Sequence, residues 1–389
     1  MNQDYSDFVH TGPETLAGRY LRLFWQPVAV AENLSPGRAL PVRIMSEDFT
    51  LYRGENGTPH LTAFRCAHRG TQLSTGWVEG DSIRCRYHGW KYDGTGQCVE
   101  QPGEEEGFAS KVKIRSYSVR EYLGLIFAYL GEGEAPPLKR FPEFEREGLI
   151  SVGPPEVWPC NYFNRVDNAC DIAHVAFTHN YSLQSRADEA SHLSMPVLAA
   201  EETEYGIRTK VQRPGEPLTH FHFHMPNINQ APPAGRVEIS LKNAVNVRAH
   251  RVFWRVPIDD EHCVSYVVAW MGITGDAAKE FQEKRRELRG SLNVSPNDLG
   301  KAILEGKMRF DDIDKNLSTY YTFWIEDYVV QVGQGATIDR SYDKLSRTDI
   351  GTLLMRKIWE RELRALAEGR PVKQWKSAEA PLVKEEEGV

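Results

Sequence analysis

Long apolar runs are missing from this 389-residue chain. No window approaches the roughly 18 consecutive apolar residues that a membrane-spanning helix needs, so no membrane partner is expected. The opening stretch Met1–Glu14 carries Asp4, Asp7 and His10 and no apolar core. It does not read as a secretory signal, which makes the cytoplasm the expected location. Positive charge is not in excess either. Lys and Arg number 47 against 54 Asp and Glu, a net charge of -7, which argues against nucleic acid as a partner. Cysteines are few, six in all, at irregular positions. That excludes the dense disulfide framework of a small secreted domain, and cysteines near histidines then read first as metal ligands. A dinucleotide loop is also lacking. Gly333-Gln334-Gly335 has no third glycine and follows a helix-like stretch rather than a strand. Any electrons this chain uses must come from a separate protein.

What is present suggests two or three domains, given the length. Residues 40 to 130 read as short strands with tight turns. Phe49–Arg53 and His60–Arg65 flank Asn56-Gly57, a two-residue hairpin signal, and Asp93-Gly94 is a second turn of that kind. Leu123, Leu125, Phe127 and Tyr129 alternate with small or apolar residues, as a strand buried on both faces would. Gly131–Pro159 is rich in Pro and Gly and reads as a domain seam. Beyond it the pattern becomes mixed. Asn164–Thr178 is helix-like, and Tyr205–Gln212, Val237–Leu241 and Val264–Trp270 alternate as strands. Ala278–Leu288, Leu317–Val332 and Thr348–Glu368 read as helices, the last stopped by Gly369 and Pro371. The acidic runs Glu104–Glu106 and Glu385–Glu387 read as solvated segments. The expected class is α+β: a small antiparallel β domain followed by a sheet-and-helix domain.

Two groups of residues carry chemistry. Cys66-Ala67-His68 and Cys85-Arg86-Tyr87-His88 each place a thiol and an imidazole in one loop, with Gly70 and Gly89 just beyond. Two such loops supply two sulfurs and two nitrogens, which suits tetrahedral zinc or a Rieske [2Fe–2S] cluster. The single residue between Cys66 and His68 is shorter than zinc loops usually have, and favours the cluster. Cys98, Cys160, Cys170 and Cys263 read as structural. The second group is Asp171, His174 and His179. On a continuous helix Asp171 and His174 share a face, and His179 joins them only if the helix ends or bulges near Thr178, with Asn180 as terminator. Two histidines and a carboxylate with open positions form the facial triad of non-haem Fe(II) oxygenases. His220, His222 and His224 alternate with Phe221 and Phe223. On a strand the histidines share one face, and a wall of a cavity, a second metal site or a plain strand all fit.

The joint pattern resembles the large, or alpha, subunit of the Rieske non-haem iron ring-hydroxylating oxygenases, of the phthalate-dioxygenase-like and aromatic O-demethylase subgroup. The resemblance runs from about Gly18 to Gly369. It implies a Rieske [2Fe–2S] domain over 20–135 and a helix-grip-like α+β catalytic domain over 1–19 and 136–389. It implies Cys66, His68, Cys85 and His88 as cluster ligands, and His174 and His179 as Fe(II) ligands. It implies Asp327 as the third ligand, with Glu326 and Asp339 as the alternatives. In the family, the residue at the Asp171 position bridges an iron histidine to a cluster histidine of a neighbouring subunit. The resemblance further implies O₂ and a small aromatic, carboxylated or methoxylated substrate, oxidised by ring hydroxylation or demethylation. It implies a ferredoxin or flavin reductase as electron donor, and a homotrimer. Arg208, Arg248 and Arg251 are candidates to read a substrate carboxylate. The rival readings are a stand-alone Rieske electron-transfer protein and a zinc-stabilised binding protein.

Overall fold

The computed structural model describes residues 5–184, 195–231, 249–290, 294–314, 317–378 and 382. The expected strand at Val237–Leu241, Arg248 and the Glu385–Glu387 tail lie outside these. The chain divides into two compact units. One comprises His10–Lys139 with Val256–Asp259. The other takes the N-terminal residues up to Val9, Arg140–Arg255 and the chain from Asp260 onward.

The His10–Lys139 unit is antiparallel β. Its larger sheet has the order Gln26–Val30, Leu125–Tyr129, Ser116–Tyr122, Pro59–Ala63, Glu47–Arg53, Ala39–Ile44. All five residues of Leu125–Tyr129 are buried, as their apolar run predicts. A second sheet of four short strands runs Trp77–Glu79, Ser82–Arg84, Lys91–Tyr92, Cys98–Glu100. Tyr52, Leu73, Ile83, Trp90, Tyr92 and Cys98 form a core with Cys66 and Cys85. The turns correct the sequence reading. Asn56-Gly57 lies inside a longer loop, Gly54–Thr58, closed by the Gly54 N–H donating to Thr58 O at 2.9 Å, with only Gly57 at positive φ. Asp93-Gly94 likewise opens a four-residue turn in which Gly96 takes the positive φ. Two-residue turns fall instead at Met45-Ser46, Gly80-Asp81 and Leu123-Gly124, joining Ile44 to Glu47, Glu79 to Ser82 and Tyr122 to Leu125, with both residues at positive φ in the first and the third.

The other unit has an eight-stranded sheet. Its path is Leu149–Val152, Cys263–Met271, Ala249–Pro257, Ile228–Ala231, Thr219–His224, Gly206–Gln212, Val197–Glu202, with Glu156–Trp158 pairing beside Leu149–Val152 on Cys263–Met271. The Pro-rich stretch expected as a seam therefore holds two strands of this sheet. Helices Tyr162–Cys170, Thr319–Val332 and Ile350–Ala367 pack together, the last also against the strands at 197–212. Ile358, Trp359 and Leu363 are its buried stripe, and Gly369 ends it at φ +68. Phe8 stacks on Phe163 at 4.6 Å, and Tyr162 donates to the Phe8 carbonyl at 2.8 Å, so the first residues belong to this core. Gly333-Gln334-Gly335 is the C-terminus of Thr319–Val332, with Gly333 N–H donating to Val329 O. Among the described residues no helix is long and apolar enough to cross a membrane.

Candidate metal centres

Two loops of the β unit share one frame. Residues 66–71 are pinched by the pair Arg65↔Gln72, and residues 85–90 by the pair Arg84↔Lys91. In the first, Cys66 N–H donates to Thr71 O and Gly70 N–H to Cys66 O, at 2.8 and 3.0 Å. In the second, Cys85 N–H donates to Trp90 O and Gly89 N–H to Cys85 O, at 2.8 and 3.1 Å. Gly70 and Gly89 both sit near φ +70 to +75, where a side chain would be strained. The two loops are the same turn used twice, with the histidine one position later in the second.

Both thiols are buried and unoxidised, whereas both imidazoles are exposed, their rings 4.5 Å apart. His68 stacks on Trp90 at 4.5 Å. Tyr92 OH lies 3.2 Å from Cys66 Sγ and accepts the Ala67 N–H. Burial pushes the Cys66 thiol up, against the Tyr92 hydrogen bond. Desolvation, then His68 and Arg69, holds His88 below its ordinary range. Buried sulfurs opposite exposed nitrogens give a donor set with a soft inner half and an imidazole half at the surface. That fits an iron–sulfur cluster with one iron on each pair.

The second centre lies in the other unit. The expected single helix over Asn164–Thr178 is broken. Helix Tyr162–Cys170 ends at Asp171, which is extended and caps it rather than sharing a face with His174. Asp171 Oδ1 accepts the N–H groups of Ala173 and His174 at 3.0 and 3.3 Å, turning the chain into the short helix Val175–Thr178. His179 ends that helix. Asn180 starts a third, Asn180–Gln184, instead of terminating anything. These two breaks bring imidazoles five residues apart to one side. Nε2 of His174 and of His179 lie 3.8 and 3.5 Å from Asp327 Oδ1, and the ligand atoms of all three lie within 4.8 Å of one another.

Each ring is oriented through its other nitrogen. His174 Nδ1 bonds the Asp171 carbonyl oxygen. His179 Nδ1 bonds Glu326 Oε2 at 3.0 Å, and its ring stacks on Phe323 at 4.1 Å. Both partners only accept, so each Nδ1 carries the proton and each Nε2 offers a lone pair. Glu326 is almost fully buried and also accepts the Ser182 N–H at 3.0 Å. The adjacent acids thus have different places: Asp327 faces the gap between the Nε2 atoms, and Glu326 stands behind His179. Asp339 is elsewhere, exposed and capping a short turn. Asn168 Nδ2 lies 3.5 Å from Asp327 Oδ1. Sequence reasoning named neither Glu326 as an orienting group nor Ser182 or Asn168.

His174 and Asp327 open onto a cavity of about 400 Å³. Phe221, Phe253, Phe323 and Trp324 are among its walls. The strand Thr219–His224 alternates as expected, but it presents Phe221 to the cavity. His222 and His224 lie on the opposite face, against Tyr205 and Gln230 at 2.7 and 2.9 Å, and among the described residues they join no metal cluster. Arg251 lines the cavity. Arg208 does not; it shares the face of His222 and pairs with Glu201.

Residues 24–122 match the Rieske [2Fe–2S] domain family, and residues 158–287 match the vanillate O-demethylase oxygenase C-terminal domain. The chain is 29% identical to the 5,5'-dehydrodivanillate O-demethylase oxygenase subunit of Sphingobium sp., over 93% of this chain and 80% of that one. It is 27% identical to the phthalate 4,5-dioxygenase oxygenase subunit of Pseudomonas putida, over 90% and 83%. Among solved structures, Pseudomonas putida CBB5 NdmB superposes with a TM-score of 0.65 at 19% identity, covering 90% and 93%. The terminal oxygenase of carbazole 1,9a-dioxygenase from Novosphingobium sp. KA1 gives 0.63 at 18%, covering 91% and 95%. At such identities the superpositions speak for the fold.

Proposed function

We propose that this chain, which is the oxygenase component of a Rieske non-haem iron enzyme, oxidises a small aromatic molecule by ring hydroxylation or oxidative demethylation. Its cofactors are a [2Fe–2S] cluster and Fe(II). Cys66, Cys85, His68 and His88 would hold the cluster, and His174, His179 and Asp327 the Fe(II). When bound, the cluster supplies single electrons and the mononuclear iron the open positions for O₂ activation. The residues do the rest. Glu326 and the Asp171 carbonyl hold the two Nδ1 protons, which keeps the Nε2 lone pairs on the metal side. The aromatic walls exclude water and orient a flat substrate beside His174 and Asp327. Asp171 holds His174 through its carbonyl while its carboxylate stays partly exposed, the placement a link to a neighbour's His88 requires.

The observation that carries this reading is the His174–His179–Asp327 group opening onto an aromatic cavity. A stand-alone electron carrier would have no use for either, and a zinc protein no use for the second group. We take 20–135 as the cluster-holding domain and 1–19 with 136–389 as the iron domain. The donor is a ferredoxin or flavin reductase, the assembly a homotrimer and the location the cytoplasm. The names of the two relatives, a demethylase acting on an aromatic ether and a phthalate dioxygenase, favour aromatic acids and ethers as substrates.

The test is metal content with spectroscopy. The purified protein should hold about three irons and two sulfides per chain and give a Rieske resonance on reduction. His174→Ala should leave about two irons, an intact cluster signal and no O₂-dependent product. A colourless zinc protein would overturn the proposal.

A further inference from the structure

Asn229 stands on an interior strand of the eight-stranded sheet. The short strand Ile228–Ala231 has a neighbour on each side, and these place Phe223 and Phe253 directly opposite Asn229. Cross-strand partners share a face, and Asn229, Phe253 and Phe221 all line the cavity onto which His174 and Asp327 open. The next residue, Gln230, points the other way, where its Oε1 meets His224 Nε2 at 2.9 Å. One strand therefore carries two amides in succession, one towards the cavity and one away from it.

The amide towards the cavity lacks a partner. Its Oδ1 is out of reach of solvent and meets no donor among the described residues. Other polar groups of the wall are engaged within the protein. Asn168 Nδ2 reaches Asp327 Oδ1 at 3.5 Å, and the Tyr320 hydroxyl donates to Glu156 Oε1 at 3.1 Å. Trp324 Nε1 donates to Asn297 at 2.8 Å, and Arg255 Nη1 to Ser265 at 2.7 Å. Between two phenylalanines a leucine would fill the row without polar cost, whereas an amide oxygen with no donor destabilises the fold. A ligand that supplies the donor removes that cost. A half-turn about Cβ–Cγ exchanges Oδ1 with Nδ2 within nearly the same volume, so the carboxamide can turn its oxygen to the cavity. An ether or carbonyl oxygen only accepts, and leaves Oδ1 as it was. A hydroxyl donates, and is the neutral oxygen group that meets the need.

We propose that Asn229 is a specificity-determining residue that binds a phenolic hydroxyl on the substrate ring, the hydroxyl donating to Oδ1. This rests on the oxygenase reading and narrows its substrate class to hydroxylated aromatics. Phe221 and Phe253 give apolar surface to any flat ring and select little among aromatics. The contact at Asn229 supplies the selection, because a site built to bond a hydroxyl disfavours the analogue without one.

The test is an anaerobic binding titration of the enzyme after Fe(II) loading, read by calorimetry. The probes are 4-methoxyphenol, 1,4-dimethoxybenzene and anisole. 4-Methoxyphenol should bind about tenfold tighter than the other two. Asn229→Leu should abolish that margin, leave the affinity for anisole unchanged and keep the circular dichroism of the parent. Asn229→Asp keeps an acceptor in the same place and should keep part of the margin. Equal affinity for the three probes in the wild-type enzyme would overturn the proposal. So would a failure of 4-methoxyphenol to bind, a margin that survives in Asn229→Leu, or a loss shared by all three probes in both variants. Iron content and O₂-dependent oxidation, measured on the same samples, separate the two failures. Oxidation without a phenol margin sinks the role of Asn229 alone. A margin that Asn229→Leu abolishes, found without iron or oxidation, sinks the oxygenase reading and leaves Asn229 as a phenol-binding residue.

Discussion

Glu326 Oε2 lies 3.0 Å from Nδ1 of His179, and Oδ1 of the next residue, Asp327, lies 3.5 Å from Nε2 of the same ring. Two consecutive acids hold opposite edges of one imidazole. Successive helix residues point about 100° apart, so their carboxylates can embrace a ring lying against the helix. Glu326→Ala leaves the His179 Nδ1–H without its acceptor in a buried site. Iron affinity should fall about ten- to hundredfold, the usual range for losing such a partner. Chelator competition measures this, and an unchanged affinity with an unchanged cluster spectrum would remove Glu326 from the site.

Asp327→Ala should act differently. It removes a donor atom, not an orienting group, so metal analysis should give about two irons per chain even in excess Fe(II). Glu326→Ala should regain about three under the same conditions. If the two variants behave alike, Glu326 and Asp327 have not been separated correctly.

The paired Cys–His loops were legible in the sequence because they are local: each Cys, His and Gly lies within five residues. The grouping of His174, His179 and Asp327 was legible only in part. His174 and His179 stand in one segment, but the break at Asp171 is invisible in residues of helical composition, and it is what turns both rings inward. The choice between Glu326 and Asp327 depends on the rotation of a helix 147 residues from His179, which no local pattern encodes. The hairpins misled for a related reason. Asn56-Gly57 is the better turn pair, but tight turns fall at Met45-Ser46 and Leu123-Gly124, where Met, Ser and Leu take a positive φ that side chains rarely adopt. Strand periodicity sorted His222 from Phe221 but could not say which face the cavity occupies.

Tyr92 should tune the cluster. Its hydroxyl lies 3.2 Å from Cys66 Sγ, and a donor to a ligand sulfur favours the reduced, more negative state. Tyr92→Phe should lower the reduction potential by about 20–60 mV, the equivalent of a net hydrogen bond in a one-electron couple. Protein-film voltammetry reads the shift directly. A rise, or no change, would mean that the hydroxyl does not donate to the sulfur.

His222 should make the catalytic unit acid-sensitive. Burial, then the charges of His220 and Arg208, depresses its pKa from 6.5 to about 4. Tyr205 OH meets Nδ1 at 2.7 Å, while the buried Nε2 has no acceptor. The folded ring therefore stays neutral where the unfolded ring binds a proton. Stability is full above the unfolded pKa and is lost as pH falls from about 6.5 towards 4, about 2 kcal/mol between pH 7 and 5. Urea unfolding of wild type and His222→Phe at both pH values checks this. The variant should lose less stability on acidification, and equal losses would assign the sensitivity to other groups.

Asp167 ties the helix that ends beside His174 and Asp327 to the rest of its unit. Its carboxylate receives Arg356 Nε at 3.1 Å, Arg356 Nη2 at 2.5 Å and Arg340 Nη1, and the Thr352 hydroxyl reaches its carbonyl at 3.4 Å. Arg340 also donates to Asn164 Oδ1 at 3.0 Å, and Arg356 pairs with Asp343 at 2.7 Å. The two guanidiniums converge on one partly buried acid, so deleting that acid leaves positive charge facing positive charge in a poorly hydrated place. Asp167→Ala should cost about 3–5 kcal/mol. The same helix carries Asn168 and ends at Asp171, which orients His174, so Fe(II) affinity should fall in the folded variant too. Urea unfolding at matched iron loading gives the first quantity, and chelator competition well below the transition gives the second. Lost stability with unchanged iron affinity would show that the Asp171 turn holds its shape without this anchor. Unchanged stability would show that Arg340 and Arg356 are satisfied by Asn164 and Asp343 alone.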